Sequence, residues 1–277
     1  MGKIARVFPR RTAATPDDDL AFVGLPGLLT FPEVDEVHVS VAFTYDRAAA
    51  EEIAFQLQPL GVPVKVGGPA YNEPGGEFIP GMYLKQGYTI TSRGCPNRCW
   101  FCSVPQREGY QLRELPIKDG WNILDDNLLA CSYSHIYFVF QMLKRQAKRP
   151  IFTGGLEAAQ LCKKPWVVDL LREVKVKRMY FAYDTPDDLE PLMEAGMLLR
   201  NGGIPTRGDV VKCYVLIGYP GDTFVAAETR LRQAWSAGFW PYAMLYRNEA
   251  GTVDAEWKKF YQNWSRPEIV GAQLKRN

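Results

Sequence analysis

Three cysteines stand together in Gly94-Cys95-Pro96-Asn97-Arg98-Cys99-Trp100-Phe101-Cys102, spaced C-x3-C-x2-C with an aromatic residue just before the last. Three thiolates on one short loop can each hold one iron of a 4Fe-4S cluster. The fourth iron then has no protein ligand and is open to a small molecule. Iron–sulfur clusters usually take four cysteine ligands, so a three-cysteine loop points to a cluster that does chemistry. Zinc is the rival reading. A structural zinc site takes four ligands around one point, and here the fourth would be a distant Cys or His135. Inert structural thiols are the remaining alternative, and a polar loop is a poor place for three of them. Arg98 puts a cation beside the thiolates, or is simply solvated.

Other residues able to do chemistry follow predicted strands. Asp125-Asp126-Asn127 ends a strand over 121–124. Such a turn caps a helix, or offers charge-assisted acceptors to an ammonium or to hydroxyls. Gly154-Gly155-Leu156-Glu157 ends a strand over 151–153, and its paired glycines permit close backbone approach. Tyr183-Asp184 ends a strand over 179–182. Gly218-Tyr219-Pro220-Gly221-Asp222-Thr223 ends a strand over 210–217 and also reads as a plain turn with a cap.

These residues need a scaffold of alternating strands and helices, and the hydrophobic pattern supplies one. The strand over 88–92 runs straight into the cysteine loop, and 240–245 is a sixth strand. Between them, Ser134 is a candidate N-cap for a helix with Ile136, Val139, Phe140 and Leu143 on one face. Thr185-Pro186-Asp187-Asp188 opens another helix, with a Thr cap, Pro at the first position and acids in the first turn. A third runs over about 223–237. Upstream lies a β-α-β unit: a strand over 36–43, a helix over 46–60 with Asp46 as its N-cap, and a strand over 62–66 closed by Gly67-Gly68-Pro69. Residues 254–264 form a helix whose Trp257, Phe260, Tyr261 and Trp264 share one face, expected to pack on the rest of the chain. The organisation is thus 1–82, an α/β segment; 83–247, the core; and 248–277, a helical extension.

Composition excludes several classes. With 47% hydrophobic and 23% charged residues the chain reads as ordinary globular, and 277 residues suffice for a large core. A net charge of +2 without a basic block gives no indication of nucleic acid. No apolar run approaches the roughly 20 residues that span a membrane, and no secretory leader is read at the N-terminus, so a cytoplasmic protein is expected. Cys131, Cys162 and Cys213 are scattered and read as small core hydrophobes. Two histidines, His38 and His135, are too few for histidine-based catalysis. Arg10, Arg11 and Arg93 read as solvated cations, with an anionic substrate as the rival; Glu73 and Glu77 are ambiguous.

The cysteine loop and six β-α units resemble the radical S-adenosylmethionine (SAM) enzymes over about residues 88–247. The resemblance implies a (β/α)6 partial TIM barrel with its site at the carboxyl ends of the strands. It implies an oxygen-sensitive enzyme in which Cys95, Cys99 and Cys102 hold a 4Fe-4S cluster, with Phe101 against the cluster or the adenine. Reductive cleavage of SAM would give methionine and a 5′-deoxyadenosyl radical that takes hydrogen from a substrate the sequence leaves open. Asp125, Asp126 and Asn127 match the position that meets the methionyl amine or ribose. Gly154, Gly155 and Glu157 resemble a Gly-Gly-Glu element of the family, displaced here from the second strand to the third. Tyr183 and Asp184 match a ribose contact, and Ile217 and Gly218 the backbone that flanks adenine. A low-potential donor of flavodoxin or ferredoxin type, a monomer and no membrane partner complete the expectation. The segment 1–82 resembles the second half of a cobalamin-binding domain, a truncated Rossmann-like layer. It lacks the D-x-H-x-x-G cobalt-ligand loop, and no Cys precedes Cys95 to serve a second cluster. The alternative is a non-catalytic iron–sulfur or zinc-binding interaction module.

Overall fold

The computed structural model describes residues 2–206, 208–248 and 250–274; positions 249 and 275–277 of the expected C-terminal extension lie outside them. The chain divides into two compact units, 1–120 and 121–277.

In the first unit β1 (Ile4–Phe8), β2 (Ala21–Val23), β3 (Glu36–Ser40) and β4 (Val64–Gly67) form a parallel sheet in the order β2-β1-β3-β4. The expected β-α-β unit is present as β3, α1 (Arg47–Leu57) and β4, with shorter strands than predicted. Alternation decides the two faces. Ala5, Val7, Val37, Val39 and Val41 are buried together with Ala50, Ile53 and Leu57 of α1, and full burial of each larger side chain contributes roughly 2 kcal/mol. The alternate positions of β3 are polar, and Glu36 pairs with Lys65 and His38, while in β1 Arg6 pairs with Asp18. Strands β1 and β2 escape a hydrophobicity-based reading because short, largely apolar runs of five and three residues show no clear period. One expectation is corrected here. Asp46 occupies the N-cap position, but its side chain makes no capping bond. Its two oxygens instead accept from Arg10 Nε and Nη2, both at 2.6 Å, because a bidentate guanidinium fork outcompetes a lone backbone N–H.

The predicted strand over 88–92 is two short pieces, β5 (Tyr88–Thr89) and β6 (Ser92–Arg93). The cysteine loop follows β6, then α2 (Val104–Glu108) and β7 (Arg113–Glu114), which pairs antiparallel with β6.

In the second unit five strands run parallel in the order β12-β11-β10-β9-β8: β8 (Asn122–Ile123), β9 (Ile151–Phe152), β10 (Arg178–Ala182), β11 (Val211–Ile217) and β12 (Trp240–Leu245). The connecting helices are α3 (Tyr133–Lys144), α4 (Ala158–Lys163), α5 (Val167–Glu173), α6 (Leu189–Asn201) and α7 (Phe224–Ser236). Ser132, not Ser134, caps α3, accepting from His135 N–H. The expected entry to α6 is a full capping box between Thr185 and Asp188. Thr223 caps α7 through Ala226 N–H. Neither α4 nor α5 was legible, since the near-continuous apolar run Val167–Leu171 does not separate helix from strand by period. Closing the chain are α8 (Ala255–Ser265) and α9 (Pro267–Leu274). The aromatic face of α8 packs as expected: Trp264 is buried, and Trp257 and Phe260 lie 4.5 and 5.4 Å from the Phe224 ring. Both units are thus α/β with parallel sheets.

Candidate functional site

The cysteine loop belongs to the first unit, and its first turn depends on Gly94. That residue has φ +86°, and a Cβ there would collide with the carbonyl oxygen of Gln111. Only glycine tolerates both conditions. The loop closes on itself where Cys102 N–H donates to Cys99 O at 3.1 Å. Cys99 is exposed, and Cys95 and Cys102 are half-buried. Arg98 lies over the Tyr110 ring at 4.7 Å, and Trp100 meets Phe101 edge-on at 5.4 Å.

Below the loop sits a residue that sequence reading missed. Glu108, at the end of α2, has a fully buried carboxylate. Arg113 reaches it at 2.6 Å, Arg107 at 2.9 Å and Arg93 at 3.6 Å, and Gly75 N–H donates to it at 3.0 Å. Burial alone pushes this acid up, but the Gly75 N–H and the guanidiniums outweigh it and hold the carboxyl below its ordinary value. The strand entering the cysteine loop and the helix leaving it are therefore clasped through one carboxylate.

The donor set can be tested against the two metal readings. Three thiols on one loop give three of the four ligands that a structural zinc takes, whereas a 4Fe-4S cluster takes each thiolate on a different iron, so the donor set fits the cluster better. The other cysteines do not compete. Cys131 and Cys213 are buried, and burial pushes the Cys213 thiol up. Cys162 is half-buried rather than fully buried, and its thiol is pushed up to about 11 by burial. The Cys162 and Cys213 thiols therefore stay protonated and unreactive.

In the second unit the predicted residues gather where parallel strands end. The turns after β8 and β9 merge into one cluster. Asn127 Nδ2 donates to Glu157 Oε2 at 2.6 Å, and Thr153 Oγ1 donates to Asn122 Oδ1 at 2.6 Å. Gly154 lies so close to Asp125 that a Cβ would strike its carbonyl oxygen. Asp125 and Asn127 are buried, and Asp126 is half-buried. Gly155 turns the chain at φ +93°. The displacement of Gly-Gly-x-Glu to the third strand thus leaves Glu157 beside the acid-rich turn, since β8 and β9 are neighbours.

Tyr183 and Asp184 part company. Tyr183 is buried, and its hydroxyl is committed to Gln233 of α7 at 2.6 Å. Asp184 Oδ1 accepts Leu216 N–H at 3.0 Å and ties the end of β10 to β11. Ile217 is fully buried. Gly218 (φ +73°) donates its N–H to Asp222 Oδ2 at 2.9 Å, and Arg230 donates to that same oxygen at 2.8 Å and to Leu216 O at 2.9 Å. Arg230 was missed, although its signal is present. It falls on the stripe Ala227, Arg230, Leu231, Ala234, and all four are buried on one helix face. A cation in an apolar helical stripe calls for a buried acid.

Burial pushes the Asp184 carboxyl up to about 6. The folded chain therefore prefers the neutral acid, and the sign of the pH dependence follows. That preference favours folding fully below about pH 4, fades as pH rises through 6, and leaves the chain about 3 kcal/mol poorer above it. Asp184→Asn, a permanent mimic of the neutral form, should match the parent in Tm at pH 4 and exceed it at pH 8. An equal Tm difference at both pH values would contradict this.

No family model matches the chain. Part of it is similar to ribosomal protein uS12 methylthiotransferase RimO of Shewanella baltica, 28% identical over 146 residues, covering 48% of this chain and 29% of the relative. RimO of Shewanella oneidensis is 27% identical over 146 residues, covering 48% of this chain and 28% of that protein. The matched part of this chain thus spans less than a third of the relatives' length. No helix among the described residues is long and apolar enough to cross a membrane.

Proposed function

We propose that this chain is a radical SAM enzyme. Residues 83–247 would form its (β/α)6 partial-barrel core, between an α/β segment over 1–82 and a helical extension over 248–277. Cys95, Cys99 and Cys102 would hold a 4Fe-4S cluster. When bound, that cluster supplies the electron that cleaves SAM to methionine and a 5′-deoxyadenosyl radical, which takes a hydrogen atom from the substrate.

The protein's own part is positioning. Gly94 and the Glu108 clasp set the loop, and Phe101 beside Cys102 supplies an apolar wall. Asp125, Asp126, Asn127, Gly154, Gly155 and Glu157 would receive the methionyl amine and ribose. Asp184, Ile217 and Gly218 would flank the adenosine; Tyr183 would contribute by fixing the β10 end from beneath. The partial similarity to a methylthiotransferase agrees with this class. Transfer of a methylthio group is not part of the proposal, since Cys131, Cys162 and Cys213 lie on separate elements as protonated or buried thiols. A flavodoxin- or ferredoxin-type donor, a monomer and a cytoplasmic setting belong to the same reading.

The observation that carries it is the C-x3-C-x2-C loop of Cys95, Cys99 and Cys102, turned by Gly94. The test is anaerobic reconstitution with iron and sulfide, then SAM and dithionite. Visible iron–sulfur absorption with reductant-dependent release of 5′-deoxyadenosine is expected. Stoichiometric zinc with no SAM cleavage in a reduced sample would instead favour the interaction module.

A further inference from the structure

The first unit contains a cavity of about 620 Å³ that none of the residues assigned above to cluster or SAM line. It sits at the carboxyl ends of β1, β3 and β4, with Phe8, Ser40 and Gly67 in its walls. Open parallel sheets bind their ligands at these ends. The volume falls within the ~300–1,000 Å³ of small-molecule sites. The body of the lining is apolar: Phe8, Phe78 and Ile90 are buried, and Phe43 and Ile79 stand exposed on it. Large apolar side chains left open around a hollow mark a place where apolar surface is to be covered.

The charges around this hollow are already engaged. Asp46 pairs with Arg10, Glu36 with Lys65, Glu77 with Lys118, and Glu108 with Arg93 and Arg107. Glu73 accepts Gly68 N–H at 2.7 Å. An ion of either sign would enter with no counter-charge waiting, and burying an unpaired charge is costly. The lining does hold one oriented polar group. Glu36 Oε2 lies 3.2 Å from His38 Nε2, and His38 Nδ1 lies 2.5 Å from the Tyr83 hydroxyl, with the His38 and Tyr83 rings stacked at 5.9 Å. A neutral imidazole has one donor and one acceptor nitrogen. The carboxylate at Nε2 fixes the proton there, so Nδ1 accepts the Tyr83 O–H. The Tyr83 oxygen, with no other hydrogen-bond partner among the described residues, keeps its acceptor lone pairs for a ligand.

We propose that this cavity binds a neutral, flat aromatic molecule bearing one O–H or N–H donor. The ring system lies on Phe8, Phe78 and Ile79, and the donor bonds the Tyr83 oxygen. Tyr83 is the residue that recognises the ligand, and Glu36 and His38 position it. Binding needs neither cluster nor SAM, so its failure would leave the radical SAM reading untouched.

The test uses three matched probes, 2-naphthol, 2-methoxynaphthalene and 6-hydroxy-2-naphthoate, titrated into the whole chain at pH 8 by ligand-observed NMR. The naphthol is expected to bind about five-fold more tightly than its methyl ether, the worth of one hydrogen bond. It should bind at least about ten-fold more tightly than the carboxylate, which keeps the O–H but adds a charge. Tyr83→Phe keeps the ring and removes the oxygen. It should make naphthol and ether bind equally while leaving the affinity for the ether unchanged, a split that a merely structural loss would not produce. Ala42→Trp fills the cavity from an exposed position, so the fold is retained, and should weaken both neutral probes at least ten-fold. No binding of the naphthol, equal or tighter binding of the carboxylate, a preference that survives Tyr83→Phe, or binding unchanged in Ala42→Trp overturns the site.

Discussion

Cys99→Ala should lose its iron almost completely after reconstitution, falling from about four irons per chain to background, while Cys131→Ala keeps the parent's content. The contrast follows from placement. Cys99 is the exposed member of the loop triad, so its removal deletes a ligand without opening a cavity. Cys131 is buried at the turn before α3, away in sequence from the loop triad. Far-UV circular dichroism should be unchanged in Cys99→Ala, which distinguishes loss of a ligand from loss of fold. Visible absorption and iron content equal to the parent would remove Cys99 from the cluster and with it the central assignment.

The second large effect is on stability. Arg230→Met should destabilise the chain by about 3–5 kcal/mol, the cost of leaving one partner of a buried ion pair uncompensated. Arg230 and Asp222 have side chains 8% and 0% exposed, respectively. Removing the guanidinium strands the Asp222 carboxylate and frees the carbonyl of Leu216. Arg230→Met with Asp222→Asn should recover much of the loss, because no buried charge then remains and Asn still accepts Gly218 N–H. Urea unfolding of both variants is the measurement. A single variant within 1 kcal/mol of the parent would show that the clasp does not hold the turn.

The two variants also mark how far the sequence was readable. The cysteine loop needed only spacing. The second-unit strands and the Thr185 and Thr223 helix starts followed from apolar period and cap chemistry, which are local properties. What stayed hidden depends on partners distant in sequence. Asp46 reads as a cap until Arg10, thirty-six residues away, takes its oxygens. Tyr183 reads as a ribose contact, and its bond to Gln233, fifty residues away, is not legible locally. Glu108 looks like one more surface acid at the end of a short helix, and only tertiary structure turns three arginines onto it. Strand β1 was missed because it is five residues long and four of them are apolar, too short a run to show a period.

The Glu108 clasp has a consequence for metal loading. A flexible loop loses conformational entropy when its ends are brought together, in proportion to the logarithm of its length. Here Arg93 and Glu108 join the two ends of the loop. On the proposed reading an incoming cluster would have only the tip between Pro96 and Phe101 to order. Iron-free chain should then show slow amide exchange at Ser92 and Arg113, on the paired strands at the base, and fast exchange at the tip alone. On that reading, capture of a cluster would be a local closing motion, one that its release would reverse without unfolding the unit that carries it.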